Sequence, residues 1–505
     1  MYFSGGFDES TDVVVVGFGT AGATAALTAQ EAGAEVVLLD KQPADDRRPN
    51  SRYSGGFLMV LDDPEAAIGY LTALYEVTND PARHDAELIR TWAEEVAANP
   101  RWLDELGCAH AEGGRGGEHR SLPGWETVGF RRVLGAPDAG DALPGCPLFG
   151  FLDAEVSRRG IERRFSTRAR WLLTDAGGAV IGVEVERDGV VRRIGARRGV
   201  VLTTGGYESS EELKQRYFPV PHAYFYGTER NTGDGITMAM EVGADLWHMN
   251  GWPGHLVAHF EDCDYTGGFH PDYWGTGRFA LAEGSEPHGG VILVDGEGAR
   301  FTCEPGVQHA TNLEVLSMDA AHLRFPRIPV WWVFDEERMR AGPLVTTGAG
   351  PAGPVGDYTW SEDNTAELER GWIRSGDGVA ALARACGFDE AVFSGTVDAY
   401  NEACATGRDP FGRPAETLVP LKGGRLYAMP LHPGGSHTVG GPRRDARARV
   451  LSVRGGPIPG LYSAGELGSM HGLLYPNGGA SLAECLAFGR VAGREAAARD
   501  AGSGG

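Results

Sequence analysis

Six residues near the start of the chain, Gly17-Phe18-Gly19-Thr20-Ala21-Gly22, set three glycines in a G-x-G-x-x-G spacing, and Asp40 follows 23 residues after Gly17. The chemistry such a pattern serves is the holding of a dinucleotide. Gly17 permits a tight turn, Gly19 lets the backbone approach a pyrophosphate, Gly22 lets a helix pack on a strand, and Asp40 can accept from a ribose hydroxyl. A second stretch, HGLLYPNGGASLAECLAFGR at 471–490, places Tyr475 ahead of a Pro-Asn-Gly-Gly turn and an alanine-rich run with helical character. A tyrosine there either packs with its hydroxyl satisfied or takes part in chemistry.

The elements around the glycine motif are legible. Residues 12–17, DVVVVG, form a β-branched run, 20–32 are alanine-rich and helical in character, and 35–40, EVVLLD, form a second apolar strand ending in an acid. This is a β-α-β unit. RGVVLTTGG at 198–206 reads as another buried strand, and in NTGDGITMAMEVGADL at 231–246 a Gly-Asp-Gly opens an amphipathic helix. Residues 106–146, rich in Gly, Pro and charge, read as a long excursion without core periodicity, with Phe130-Arg131-Arg132 on a solvated loop. From 251 to 424 the texture changes to aromatics, prolines and longer loops, with a helical pair at 376–405; Trp331 and Trp332 are expected to pack there. The expected fold is therefore α/β: a Rossmann-like domain at 1–250 and 425–505, interrupted by a smaller α+β cap, or substrate, domain at 251–424.

Composition narrows the partner. The 505 residues can bury a large interior in two or three domains, or in one large domain with an insertion. Lys and Arg number 46 against 69 Asp and Glu, a formal charge of −23, which argues against nucleic acid and anionic membranes because both demand clustered positive charge. No apolar run of about 20 residues could cross a bilayer. Seven scattered cysteines without a CxxC pair indicate neither zinc nor a disulfide framework, and fit a reduced cytoplasm. Glycine, at 76 residues, is about twice its ordinary share, so backbone comes close to something at many points. A small-molecule partner is the expectation.

The set VVVVGFGTAGATAAL, NSRYSGG at 50–56, VVLTTGGY, NTGDG, IPGLYSAGE at 458–466 and GGASLAECLAFGRVAG at 478–493 resembles the FAD-binding family that includes fumarate reductase and succinate dehydrogenase flavoproteins and the 3-ketosteroid dehydrogenases. The resemblance implies FAD. It implies that Gly17, Gly19 and Gly22, with Thr20 and Ala21, hold the pyrophosphate, that Asp40 and the adjoining Lys41 serve the adenosine end, and that Ala169 meets adenine through its backbone. Asn50, Ser51, Ser54, Gly55 and Gly56 are expected on the isoalloxazine side, Gly206, Asp234 and Glu466 along the rest of the cofactor, with Asp234 and Glu466 near its ribityl and phosphate groups. Ser481 and Leu482 are expected to present N–H groups at a helix start to the flavin pyrimidine. Members with covalent FAD carry a histidine shortly before the Gly-Gly; residues 41–60 contain none, so FAD is expected to be non-covalent.

The same resemblance divides on the substrate. GADLWHMNGWPGH at 243–255 places His255, and SHTVGG at 436–441 places His437, on the two substrate histidines of fumarate reductases. Both arginines of those enzymes are missing: Gln308 stands four residues after Glu304 of GARFTCE, and Tyr475 or Pro476 takes the other place. Glutamine neither donates nor accepts a proton, and the loss of two guanidinium forks disfavours a dicarboxylate. Ketosteroid dehydrogenases place a tyrosine and, four residues on, a glycine in this loop to polarise a ketone. Tyr475 and Gly479 reproduce that spacing. The acid or base is open: His309 is one candidate, with Tyr53 and Tyr427 as alternatives. The expected function is FAD-dependent dehydrogenation, or the reverse reduction, of a C–C bond next to a ketone-like group on a largely neutral, medium-sized substrate, with an unidentified electron acceptor or donor. The rivals are a fumarate-reductase-like enzyme of small carboxylates using His255 and His437, and a flavin electron-transfer protein without a substrate of its own.

Overall fold

A computed structural model describes residues 2–81, 85–135, 146–263, 267–273, 275, 287–304, 309–346 and 358–500. The chain divides into two compact units, the first made of 1–218, 228–252 and 437–505, the second of 219–227 and 253–436.

The first unit is built on a sheet in which β1 (Glu9–Val16) lies between β2 (Val36–Leu39) and the strand Val190–Leu202, parallel to both. Pro457–Ser463 extends it beyond Val190–Leu202, also in parallel, and Glu162–Arg164 extends it beyond β2. Val13, Val14 and Val15 are fully buried, as β-branched strands covered on both faces must be. α1 (Thr20–Glu31) and the final helix Ala480–Ala498 pack together across small residues: a Cβ on Gly493 would stand 2.5 Å from the Ala25 carbonyl oxygen, and one on Gly489 would stand 2.8 Å from Thr24. Both helices bury nearly every side chain, so neither shows a strong apolar stripe.

The excursion at 106–146 holds structure that its composition conceals. Ala109–Arg115 and Val128–Gly135 join Phe57–Leu61 in an antiparallel three-stranded sheet. Phe130, Arg131 and Arg132 are therefore strand residues rather than a loop. Gly113 and Gly114 give the Phe130 ring its space, since a Cβ on Gly113 would come within 2.4 Å of it. Residues 136–145 lie outside the described ones.

The second unit centres on an antiparallel sheet ordered Val291–Val294, Val330–Asp335, Arg425–Leu431, Arg374–Asp377. Alternation along Val330–Asp335 sends Trp332 and Phe334 into one core, with Trp360 and Trp372, and Val333 into another, with Leu382, Phe393 and Tyr400. Residues 425–436, read from the sequence with the first domain, pair here within the second unit. Among the described residues no helix is long and apolar enough to cross a membrane.

Candidate functional site

In the first unit a cleft opens at the carboxyl ends of the parallel strands, where open α/β sheets hold ligands. Gly17 turns with φ +105°, and a Cβ on it would stand 2.5 Å from the Thr203 carbonyl oxygen; a Cβ on Gly22 would stand 1.9 Å from the Gly17 carbonyl oxygen. Both glycines are needed for packing, whereas a Cβ on Gly19 would stand 3.3 Å from Ser51 Oγ and 3.9 Å from Pro49 Cβ. Thr20 N donates to Ser51 Oγ at 3.0 Å, and the first turn of α1 carries no acid. An unneutralised helix N-terminus facing a cavity favours an anion.

Asp40 accepts from Phe18 N at 3.0 Å and from Gln42 N at 2.7 Å; burial pushes its pKa up against these bonds. Burial would also raise Asp234, but Lys41 and Arg168, whose nitrogens lie 2.7 and 2.9 Å from its carboxylate, hold its pKa down. Gly17, Gly19, Thr20, Ala21, Asp40, Lys41, Asn50, Ser51, Ala169, Asp234 and Glu466 all wall the cavity. Gly22, Ser54, Gly55, Gly56, Gly206, Ser481 and Leu482 do not. Ser54 Oγ donates to the Ser51 carbonyl, Gly56 accepts from Val133 N, Gly206 accepts from Gly233 N, and Ser481 and Leu482 sit in the first turn of the final helix.

That helix is capped by Gly479, at φ +85°, where a Cβ would stand 2.6 Å from the Phe57 carbonyl oxygen and 2.8 Å from Met59 N. The Tyr475 hydroxyl accepts from Ser481 N at 2.7 Å, and the Ser481 side chain also bonds it. Tyr475 is 6% exposed, and burial raises its pKa far above the ordinary phenol value. Its ring meets His437 and His471 edge-on at 6.2 and 5.5 Å. His437 Nε2 lies 2.6 Å from Ser481 Oγ, and Nδ1 lies 4.0 Å from Glu466 Oε1. Two bonds hold the loop: Tyr70 donates to the Pro476 carbonyl and His119 Nε2 contacts the Tyr475 carbonyl, each at 2.8 Å. His119 comes from the excursion whose role composition hides. Tyr475, Gly479, His437, Ser481 and Glu466 thus form one constellation.

His255 and His309 lie in the second unit with His270, which sequence reasoning missed; ring centroids are 4.9 Å apart for His255 and His309 and 4.8 Å for His255 and His270. Burial, then the neighbouring imidazoles, pushes His255 well below the ordinary histidine value, and burial takes His270 to about 3. Gln308 lies outside the described residues. Tyr53 is half-buried in a short turn, Asn50–Tyr53, with its pKa raised by burial. Tyr427 donates to Glu336 and stacks on Phe334 in the second unit's core.

Sequence reasoning also missed Glu208. This residue is 3% exposed and accepts from Asn50 Nδ2 at 3.0 Å and from Asn231 Nδ2 at 2.7 Å, while Asn231 reaches Glu466 at 3.5 Å. The available signal was Gly205-Gly206 just before it: a Cβ on Gly206 would stand 2.5 Å from Glu208 Oε2.

A family model described as "FAD binding domain" matches residues 12–482. The chain is 29% identical over 504 residues to a probable fumarate reductase of Shewanella frigidimarina, covering 97% of this chain and 76% of that one. It is 27% identical over 581 residues to a 3-oxosteroid 1-dehydrogenase of Mycobacterium tuberculosis, covering 96% and 98%. In fold it matches the 3-ketosteroid Δ1-dehydrogenase of Sterolibacterium denitrificans with a TM-score of 0.81, at 22% identity, over 97% of this chain and 100% of that one. The helix N-terminus and the glycine turn fit the anionic middle of FAD, and the chain belongs to the FAD-binding family of fumarate reductases and 3-oxosteroid 1-dehydrogenases, as a FAD-dependent oxidoreductase.

Proposed function

We propose that the protein dehydrogenates, or in reverse reduces, a C–C bond next to a ketone-like group on a largely neutral, medium-sized substrate. The observation that carries this is the hydroxyl of Tyr475, buried and accepting from the main-chain N–H of Ser481 at 2.7 Å. A phenol oxygen that already accepts keeps its own proton to donate, and Gly479 N–H supplies a second donor nearby. No arginine stands in 471–482 to grip a carboxylate. Non-covalent FAD, when bound, takes or gives the hydride. Around it, the N–H groups of Gly19 and Ala21, with Thr20 between them, hold the pyrophosphate, Asp40 and Lys41 fix the adenosine end, Ala169 meets adenine, and the final helix N-terminus at Leu482 favours negative charge on the ring. Seven scattered cysteines without a CxxC pair favour a reducing, cytoplasmic setting.

The test is to photoreduce the FAD-loaded enzyme under argon and follow flavin reoxidation by a panel of cyclic enones and by fumarate. Reoxidation by an enone, slowed about 10² to 10³-fold in Tyr475→Phe, is expected; rapid turnover of fumarate with no enone active overturns the reading. A second reading, reduction of a small carboxylate, is favoured by the His255, His270 and His309 cluster, whose imidazole N–H groups could meet an anion, and by the 29% identity to a probable fumarate reductase. Loss of fumarate turnover in His255→Phe would be its mark.

A further inference from the structure

Two carboxyl side chains lie together beneath the cofactor cavity. Leu202 and Ser463 are paired on adjacent parallel strands, so the chain leaving each strand brings Glu208 and Glu466 to one place. Asn231 Nδ2 touches both, at 2.7 Å from Glu208 Oε1 and 3.5 Å from Glu466 Oε2. The remaining groups facing the pair are Asn50, Thr438 and His437, with Tyr207, Tyr475 and Cys485 nearby. Among the described residues, neither carboxyl forms an ion pair with a lysine or arginine. Two like charges so placed cannot both ionise cheaply. Burial, and then Glu208 itself, raises Glu466 well above the ordinary carboxyl value, and burial raises Glu208 to about 7.

The pair is also connected. Glu466 Oε1 stands 4.0 Å from His437 Nδ1, a gap that one bridging water or a small side-chain shift closes, His437 Nε2 meets Ser481 Oγ at 2.6 Å, and the Ser481 side chain bonds the Tyr475 hydroxyl. Carboxyl, imidazole, alcohol and phenol are each able to take a proton on one side and give one on the other. We propose that Glu208 and Glu466 are a proton store, joined through His437 and Ser481 to the Tyr475 hydroxyl and so to the substrate's carbonyl oxygen.

The inference rests on the reading that Tyr475 meets a substrate ketone, and it supplies the proton route that Gln308 cannot. FAD, when bound, would supply a hydride to the β-carbon of the enone in the reductive direction, with the C=C electron pair shifting toward the carbonyl, and what this chain's residues do is move the matching proton. The carbonyl oxygen takes the Tyr475 proton, giving an enol. Tyr475 is refilled from Ser481, Ser481 from His437, and His437 from the pair, which ends one proton poorer. The enol becomes the ketone by exchange with water. In the oxidative direction the relay takes the O–H proton of the enol, and FAD, when bound, would take the β-hydride, leaving the enone. One hydride and one proton are accounted for each way, without a base at carbon.

Two measurements separate this inference from the reading beneath it. The first is an infrared pH titration of the FAD-loaded protein, following the protonated-carboxyl stretch and its shift in D2O. Wild type is expected to keep such a band past neutral pH, Glu208→Gln to lose it at a pH lower by about one unit or more, and Tyr475→Phe to keep it. Absence of the band in wild type above pH 6 overturns the store, whatever Tyr475 does. The second is the rate of enone-driven reoxidation against pH in Ser481→Ala, with Ser481→Thr as the conservative control. A fall of about tenfold or more, with the decline through neutral pH flattened and restored by threonine, is expected. A wild-type rate and pH profile in Ser481→Ala, while Tyr475→Phe remains slow, refutes the relay and leaves the proposed function standing. No change in Tyr475→Phe removes that function, while the infrared result still decides the store.

Discussion

The two units bury charge in opposite ways. In the second, Arg300 pairs with Glu304 at 2.7 Å and with Asp409, and Arg413 reaches Glu304 at 3.2 Å, so two cations face two anions with nearly all their surface removed from water. In the first, Glu208 and Glu466 face each other across Asn231. A balanced network meets its desolvation cost with ion pairs and holds one geometry. An unbalanced pair meets it by keeping a proton, which makes it chemically responsive. The first unit also contains the balanced solution: Arg444 and Glu484, both fully buried, are paired, with Trp92 Nε1 donating to the same carboxylate. The difference therefore belongs to the cavity floor and not to the unit as a whole.

That contrast can be broken by substitution, most sharply in the second unit. Glu304→Ala leaves Arg413 without its carboxylate partner and Arg300 with Asp409 alone, and is expected to cost about 3 to 5 kcal/mol in urea unfolding. A loss below about 1 kcal/mol would mean that the network is not what holds that geometry. Next comes Trp92→Phe, which removes the neutral donor to Glu484 while keeping most of the ring; a loss of about 1.5 to 3 kcal/mol is expected, as for a hydrogen bond to a charged group.

The like-charge pair should answer to pH instead. With Glu208 raised from 4.5 to about 7, the folded apoprotein binds more protons than the unfolded chain between those values, so its stability falls as pH rises through that window. The fall should be on the order of 1 to 3 kcal/mol in urea titrations, and Glu208→Gln should flatten it. An unchanged slope in Glu208→Gln would place the titrating group elsewhere. The smallest effect belongs to a solvated pair: Arg216→Ala, which removes the partner of Glu212 where the side chains are 54% and 74% exposed, should change thermal stability by no more than about 0.5 kcal/mol.

Much of the cofactor site was legible because its rules are local. The valine run, the three glycines, the alanine-rich helix and Asp40 lie within one stretch, and each states its own constraint through strand periodicity, turn conformation or close packing. The excursion at 106–146 was not legible, because Gly129-Phe130-Arg131-Arg132 shows no apolar-polar alternation of its own, and the apolar partners Met59, Leu58 and Phe57 lie outside the stretch. His119 shows the same limit: nothing in its neighbours tells that its ring reaches the Tyr475 carbonyl.

By itself the sequence determined the class of fold, the kind of cofactor and the presence of a tyrosine and a glycine four residues apart at the start of the last helix. Only the tertiary structure decided what that tyrosine touches. Tyr475 meets Ser481, Ser481 meets His437, and His437 faces Glu466 beside Glu208, because parallel strands far apart in the chain end side by side at one edge of the sheet. Conformation follows from neighbours in sequence, whereas the protonation of a buried carboxyl follows from neighbours in space.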